Sequence, residues 1–248
     1  MTLQDFFAEH PKVAIAFSGG VDSAYLLYAA KRYAKKVRAY YVKSEFQPQF
    51  ELDDAIRLAE ELKADLQILR LDVLAVPRVS DNPSNRCYYC KKAIFSGIIR
   101  AAAADGFSVL LDGTNASDDA GDRPGMKALR ELSVLSPLRE CGLTKSMVRQ
   151  LSREASLFTW DKPAYACLAT RIPTGEKITA KKLEATEIAE NFLFSLGFTD
   201  FRVRSQDGNA KIQLPEDQLA MLLEHRREIL QKLGQYYKSV VLDLAVRG

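Results

Sequence analysis

Histidine is almost missing from this chain of 248 residues: His10 and His225 are the only two, beside four cysteines and a single tryptophan. A structural zinc site takes four Cys or His ligands. With His10 ahead of the first apolar run and His225 inside a helical pattern, neither histidine is placed to complete one. Long apolar runs are also missing, and nothing approaches the ~20 residues of a membrane-spanning helix. The N-terminus, Met1-Thr2-Leu3-Gln4-Asp5, has neither the basic nor the apolar region of a signal peptide. The expectation is a cytoplasmic protein without a membrane partner. Charge of one sign is scarce too: 35 Lys and Arg stand against 32 Asp and Glu, a net +3. That is too little for the basic face a nucleic-acid binder carries. No internal repeat and no low-complexity stretch occurs. Four cysteines in such a chain point to catalysis or metal binding rather than to a disulfide framework. The remaining composition, 47% hydrophobic and 27% charged, is that of a soluble globular protein with one large or two small domains.

Apolar periodicity organises the chain into two textures. In the first half, strands are expected at residues 13–17, 37–42, 66–71, 109–111 and 134–138, and helices at 23–35, 48–63 and 90–104. A βαβα alternation implies an α/β fold, a doubly wound parallel sheet with helices on both faces. Ligands of such sheets bind beyond the carboxyl ends of the strands. After about residue 172 the pattern changes. Residues 181–196 form an amphipathic helix, and 201–205 and 210–214 alternate around Asp207-Gly208, a hairpin signal. A helix over 215–233 and a strand over 239–244 follow. The expected division is a domain of residues 1–172 and a smaller α+β domain of residues 173–248, which is small enough to need its neighbour or another subunit. A homo-oligomer is therefore expected.

The most informative segment is Phe17-Ser18-Gly19-Gly20-Val21-Asp22-Ser23, between the apolar run Val13-Ala14-Ile15-Ala16 and a helical pattern. A buried strand ending in a tight glycine turn at a helix N-terminus forms an anion cradle, and glycines let the backbone approach a phosphate. Ser18 and Ser23 add hydroxyls, and Asp22 suits a magnesium ion beside phosphates. No Lys follows the glycines, so this is not the GxxxxGK[ST] loop. It resembles the SGGxDS loop of the PP-loop ATP pyrophosphatase superfamily, which implies cleavage of ATP between the α and β phosphates.

Cys87-Tyr88-Tyr89-Cys90 has the spacing of half a zinc site, a redox pair or two ligands of an iron–sulfur cluster. Cys167 lies in Pro163-Ala164-Tyr165-Ala166-Cys167-Leu168-Ala169-Thr170-Arg171-Ile172-Pro173, and Cys141 stands alone before Gly142. Three thiolates around a cluster would leave one iron open. Leu111-Asp112-Gly113-Thr114-Asn115 ends a strand on the nucleotide edge, and Asp118, Asp119 and Asp122 crowd the loop that leads to Arg123-Pro124-Gly125. Arg171 offers a bidentate fork for a phosphate or carboxylate. Trp160 reads as packing.

Taken together these segments, with Asn82-Pro83, Arg86, Lys91, Ser136-Pro137-Leu138 and Asp161-Lys162-Pro163, resemble the LarE family over residues 10–214. Those proteins are ATP-dependent sulfur transferases of nickel-pincer nucleotide synthesis. The resemblance implies a nucleotide substrate, pyridinium-3,5-biscarboxylic acid mononucleotide, whose carboxylates are adenylated and converted to thiocarboxylates. It implies ATP bound by Ser18, Gly19, Gly20, Asp22 and Ser23, with Gly113 and Thr114 beside them and Mg²⁺ on Asp22. In members with one active-site cysteine, that residue gives up its own sulfur and becomes dehydroalanine. Members with three hold a [4Fe–4S] cluster, and Cys87, Cys90 and Cys167 match that type. Asp22 and the three cysteines are thus the implied catalytic residues, with no assigned sulfur donor. Arg171, Arg202, Arg204 and Glu190 are implied near the substrate. Gln213 stands where the family often has an acid, which puts a second carboxylate-bound metal in doubt. The alternatives are a tRNA thiolation enzyme, an ammonia-using small-molecule ligase of the same superfamily, and a nucleotide sensor.

Overall fold

The strand β1 (Lys12–Ala16) buries Val13, Ala14 and Ile15 alike, so neither of its faces meets water. Alternate residues of a strand point to opposite faces, and here the two sets enter different cores. Val13 and Ile15 join Ala39 and Tyr41 of β2 (Lys36–Lys43) in one cluster, with Phe6, Leu26, Leu27 and Leu58 from the covering helices. Ala14 joins Tyr40 and Val42 on the opposite face, under Phe95, Ile98 and Ala102. Such two-sided burial is the reason parallel strands read as continuous apolar runs. The computed structural model describes residues 1–118 and 124–245.

The sheet is completed by β3 (Leu66–Arg70) and β4 (Leu110–Leu111), in the order β3-β2-β1-β4 with all pairs parallel. The helices Val21–Tyr33 and Gln49–Glu61 make the crossovers from β1 to β2 and from β2 to β3. Helix Arg86–Ala104 then precedes β4. The chain thus moves outward from β1 to β3 and returns to the other side of β1. That reversal opens a crevice between the carboxyl ends of β1 and β4, the position where doubly wound sheets take their ligands.

Two compact units make up the chain: Met1–Val76 with Asn85–Ala164, and Pro77–Ser84 with Tyr165–Gly248. The short segment 77–84 is tied to the second unit by Asn82, which adopts a left-handed φ of 56°. Its side-chain amide donates to the carbonyls of Pro173 (2.7 Å) and Glu176 (3.2 Å), and its own carbonyl accepts from Gly175 N–H. In the same unit, β5 (Arg202–Gln206) and β6 (Asn209–Gln213) form the expected hairpin, and β7 (Val240–Leu242) pairs parallel to β6. Asp207 (φ 51°) and Gly208 (φ 81°) carry the two positive φ values that a two-residue hairpin turn requires. Helix Ala180–Ser195 packs Ala189 and Leu193 against this sheet.

Two expected elements differ. Residues 134–138 do not form a strand: Leu135 makes a single parallel bridge to Leu111, and the chain then turns into the helical stretch Pro137–Glu140. Pro137 has no N–H to give a ladder and suits the first position of a helix. The helix expected over 215–233 is broken into Glu216–Gln218, Leu219–Glu224 and Arg226–Leu233, with His225 between the last two at φ −87°, ψ 7°. No helix among the described residues is long and apolar enough to cross a membrane.

Because Leu27 is wholly buried in the first core, Leu27→Ala is expected to lower the unfolding free energy by about 3 kcal/mol through lost transfer energy and the cavity left behind. Urea denaturation followed by circular dichroism measures it; a loss below about 1 kcal/mol would mean that the helix does not pack as described.

Candidate active site

The last ladder bond of β1 runs from Phe17 N–H to Tyr40 O at 2.9 Å. Gly19 then takes a φ of 74°, a conformation an L side chain adopts only with strain, and a Cβ there would lie 3.3 Å from Ala55 Cβ. Gly20 is the N-cap of helix Val21–Tyr33, and no side chain caps that helix, so its first-turn N–H groups face the loop without a side-chain acceptor. Two hydroxyls brace the turn. Ser18 N–H donates to Ser23 Oγ (3.3 Å), the two Oγ atoms lie 3.1 Å apart, and Ser23 Oγ donates to Gly20 O (3.1 Å).

The loop after β4 closes on this turn from the other side of the crevice. Asp112 is buried, and its carboxylate accepts from Thr114 Oγ1 (2.5 Å) and Ser136 Oγ (2.6 Å), which fixes the strand end. Gly113 presses so closely on the neighbouring helix that a Cβ would stand 2.9 Å from Ser23 N. The cleft between the two loops has a volume of about 330 Å³ and is lined by Ser18, Gly20, Asp22, Ser23, Thr114 and Asp118, with Lys91 and Phe95 from helix Arg86–Ala104. The contact at Gly113 is backbone against backbone, so Gly113→Ala must displace the Ser18–Ser23 turn. Affinity for ATP is expected to fall at least about tenfold, the effect of a site misplaced by a fraction of an ångström. Isothermal titration of ATP measures it, and unchanged affinity would remove Gly113 from the site.

Asp22, in the first turn of helix Val21–Tyr33, faces the same cleft. Its Oδ1 accepts from Asn115 Nδ2 (3.2 Å) and its Oδ2 pairs with Lys145 Nζ (2.5 Å), the first residue of helix Lys145–Glu154. Backbone N–H donors and the ammonium groups of Lys91 and Lys145 suit phosphate oxygens, while Asp22 supplies the hard oxygen ligand that Mg²⁺ prefers. The donor set therefore fits a magnesium nucleotide. Lys145 was not signalled by the sequence: it lies 123 positions from Asp22 and sits in no local motif. Asn115 was visible as a turn residue after β4 and as part of the Asp112-Gly113-Thr114-Asn115 segment, without its partner. Asp119, Asp122 and Arg123 fall outside the described residues.

The cysteines are distributed over both units. Cys87 and Cys90 stand one turn apart at the start of helix Arg86–Ala104, the first exposed and the second half-buried, with the Arg86 guanidinium 3.9 Å from Cys87 Sγ. Cys167 belongs to the second unit and leads the short helical turn Leu168–Arg171. No group of three metal-ligating side chains gathers among the described residues. Cys141 caps the turn Pro137–Glu140 and packs against the first core, where burial pushes its thiol pKa up. Trp160 is partly exposed, with the Arg153 guanidinium 5.1 Å from its ring centre.

Arg171 is fully buried, and its fork is taken up inside the second unit. Nε and Nη2 donate to Glu190 Oε1 (2.8 Å) and Oε2 (3.1 Å). Burial works against the Arg171 charge, but the hydrogen bond and charge of Glu190 outweigh it and raise the guanidinium pKa above its ordinary value. Glu190 Oε1 also accepts from Val203 N–H (2.9 Å). Arg202 donates to Phe201 O (2.6 Å) and lies over the Tyr165 ring. Arg204 donates to Gln213 Oε1 (2.5 Å) and to Thr170 O (2.9 Å). Gln213 in turn donates to Asp243 (2.8 Å), so the amide bridges a cation and an acid across β5, β6 and the segment after β7.

Comparison with known proteins agrees with this architecture. The asparagine synthase family profile matches residues 7–119, the segment that carries the cleft's β1 and β4 loops. An uncharacterised protein of Synechocystis sp. is 37% identical over 247 residues, covering 98% of this chain and 92% of the relative. The pyridinium-3,5-bisthiocarboxylic acid mononucleotide synthase of Lactiplantibacillus plantarum is 36% identical over 238 residues, 94% of this chain and 86% of that enzyme. An uncharacterised protein of Methanocaldococcus jannaschii is 28% identical over 239 residues, 96% of this chain and 91% of its own length. With a PP-loop cleft at the switch point of its sheet and near full-length identity above one third to that synthase, the chain belongs to the LarE family of the PP-loop superfamily.

Proposed function

We propose that this protein is an ATP-dependent sulfurtransferase that converts the carboxylates of pyridinium-3,5-biscarboxylic acid mononucleotide to thiocarboxylates. The observation that carries this reading is the Ser18–Ser23 cleft, with Asp22 at its centre, in a chain that aligns over nearly its whole length with a synthase named for the bisthiocarboxylic acid product. A carboxylate is a poor electrophile, so its oxygen first attacks the α-phosphorus of ATP. The acyl-adenylate forms, the α–β phosphoanhydride breaks, and pyrophosphate leaves. The loop N–H groups, Ser18 and Ser23 orient the phosphates, and Lys91 offsets the charge that develops on the leaving group. Asp22 would hold Mg²⁺ against the same oxygens, where the metal supplies further charge neutralisation. Sulfur then attacks the activated carbonyl carbon, a C–S bond replaces the C–O bond to AMP, and AMP departs.

Cys167, with Cys87 and Cys90, is the proposed source of sulfur chemistry. The three would hold a [4Fe–4S] cluster, which would supply the sulfur-transfer chemistry when bound. Cys87 and Cys90, one helical turn apart, suit two of its corners. Arg202 and Arg204 on β5 are proposed to face the substrate's phosphate or carboxylates, with Arg171 and Glu190 behind them. The test is an anaerobic assay of pyrophosphate release against the pyridinium mononucleotide, with mass spectrometry of the product. Pyrophosphate release that requires this acid and yields its thiocarboxylate supports the reading. Release that requires tRNA or ammonia, or no release with any acid, overturns it.

A further inference from the structure

The stretch from Tyr165 to Arg171 is held by bonds on both sides of Cys167, all within the second unit. Ala166 O accepts from Arg171 Nη1 at 3.0 Å. Cys167 O accepts from Thr170 N–H (2.9 Å) and from Thr170 Oγ1 (2.8 Å), which itself accepts from Arg171 Nη1 (2.8 Å). Thr170 O accepts from Arg204. Tyr165 donates its hydroxyl to Glu190, and its ring lies 4.7 Å from the Arg171 guanidinium carbon. Glu190 stands on the helix Ala180–Ser195 and is pinned again by Val203 N–H of β5. The carbonyl before Cys167 directly, and that of Cys167 through the Thr170 hydroxyl, are therefore referred by the Arg171 guanidinium to one carboxylate on a long helix, while Arg204 holds the Thr170 carbonyl.

A buried ion pair is a poor source of stability, because the desolvation of both charges offsets their attraction. Arg171 and Glu190 are 1% and 2% exposed, and at least three of the Arg171 bonds go to the Cys167 segment or to Glu190 rather than outward. The geometry points to a positioning role: we infer that the Arg171–Glu190 pair holds the Cys167 segment in the conformation that aims its thiol, and that neither residue touches the substrate. The inference rests on the proposed role of Cys167 in sulfur transfer.

The test compares Glu190→Gln, which keeps the shape and loses the charge, with Tyr165→Phe, which removes one bond to Glu190. The full chain, thiols reduced, is alkylated with iodoacetamide at one pH, and each cysteine is followed by mass spectrometry. Release of the segment exposes a half-buried thiol. Cys167 is expected to react about fivefold faster or more in Glu190→Gln and about twofold faster in Tyr165→Phe, while Cys141 reacts at its original rate. In turnover, the loss is expected in kcat for thiocarboxylate formation, about tenfold, and not in KM. Restoring a carboxylate with Glu190→Asp should recover part of it. An unchanged Cys167 rate in both variants would overturn the inference. So would a raised KM with unchanged kcat, which marks a direct substrate contact. Should Glu190→Gln fail to fold, Tyr165→Phe decides by the same two readouts. Alkylation needs no substrate, so a failure of the proposed function and a failure of this inference read differently.

Discussion

Asp22→Ala is expected to lower pyrophosphate release by about 10³-fold or more while leaving the protein folded. The size follows from what the carboxylate is proposed to do. Removing a preorganised charge-stabilising group from a phosphoryl or acyl transfer site costs about 10²–10³ in rate, and loss of a metal ligand adds to that. The fold has little stake in the same side chain. Asp22 is 20% and Lys145 36% exposed, so their ion pair is worth about 0–1 kcal/mol. Its place in the first turn of helix Val21–Tyr33 adds about 0.3–1 kcal/mol through the helix dipole. A melting temperature within a few degrees of the parent is therefore expected beside a near-complete loss of turnover. Retention of the original rate would remove Asp22, and with it the Ser18–Ser23 turn, from the chemistry. Lys145→Met separates two explanations. If the ammonium only braces Asp22, ATP affinity should barely change; if it neutralises the phosphates, affinity should fall with it.

Much of the first unit was legible from local pattern, for physical reasons. β1 and β2 are buried on both faces, so their residues are apolar without interruption, and a glycine pair after such a run leaves few conformations for the chain. Asp207-Gly208 was equally explicit, because both positions need a positive φ. What could not be read depends on long-range partners. Residues 134–138 have an apolar character that fits a strand, yet the missing N–H of Pro137 limits the pairing to one bridge at Leu135. Segment 77–84 joins the second unit because Asn82 bonds to carbonyls about ninety positions away. Arg171 illustrates the limit for the site itself. A motif gives the residue type, and a guanidinium suits a phosphate as well as it suits Glu190; only the fold shows that Glu190 takes the fork. The pairing of Lys145 with Asp22 has the same character.

Loss of any one of Cys87, Cys90 and Cys167 is expected to abolish repeated turnover, whereas Cys141→Ser should retain it. The contrast rests on surroundings rather than on the count of thiols. Cys87 and Cys90 sit one turn apart at the start of a helix, Cys87 exposed with Arg86 beside it and Cys90 half-buried, within reach of a ligand from solvent. Cys141 packs against the first core with its thiol pKa raised by burial, which keeps it protonated and unreactive near neutral pH. Serine in place of Cys167 removes the proposed sulfur path altogether, so thiocarboxylate formation should fall below detection, while the adenylation cleft, built in the other unit, is left in place. Pyrophosphate should then appear at most once per active site, as an acyl-adenylate with no sulfur to resolve it. Cys87→Ser and Cys90→Ser carry the decision on the cluster. A three-thiolate site that loses one corner cannot hold its iron, so these variants should lack the iron and sulfide that an anaerobic preparation of the parent contains. Full activity in both, with Cys167 converted to dehydroalanine after one turnover, would show that the residue gives up its own sulfur and that no cluster takes part.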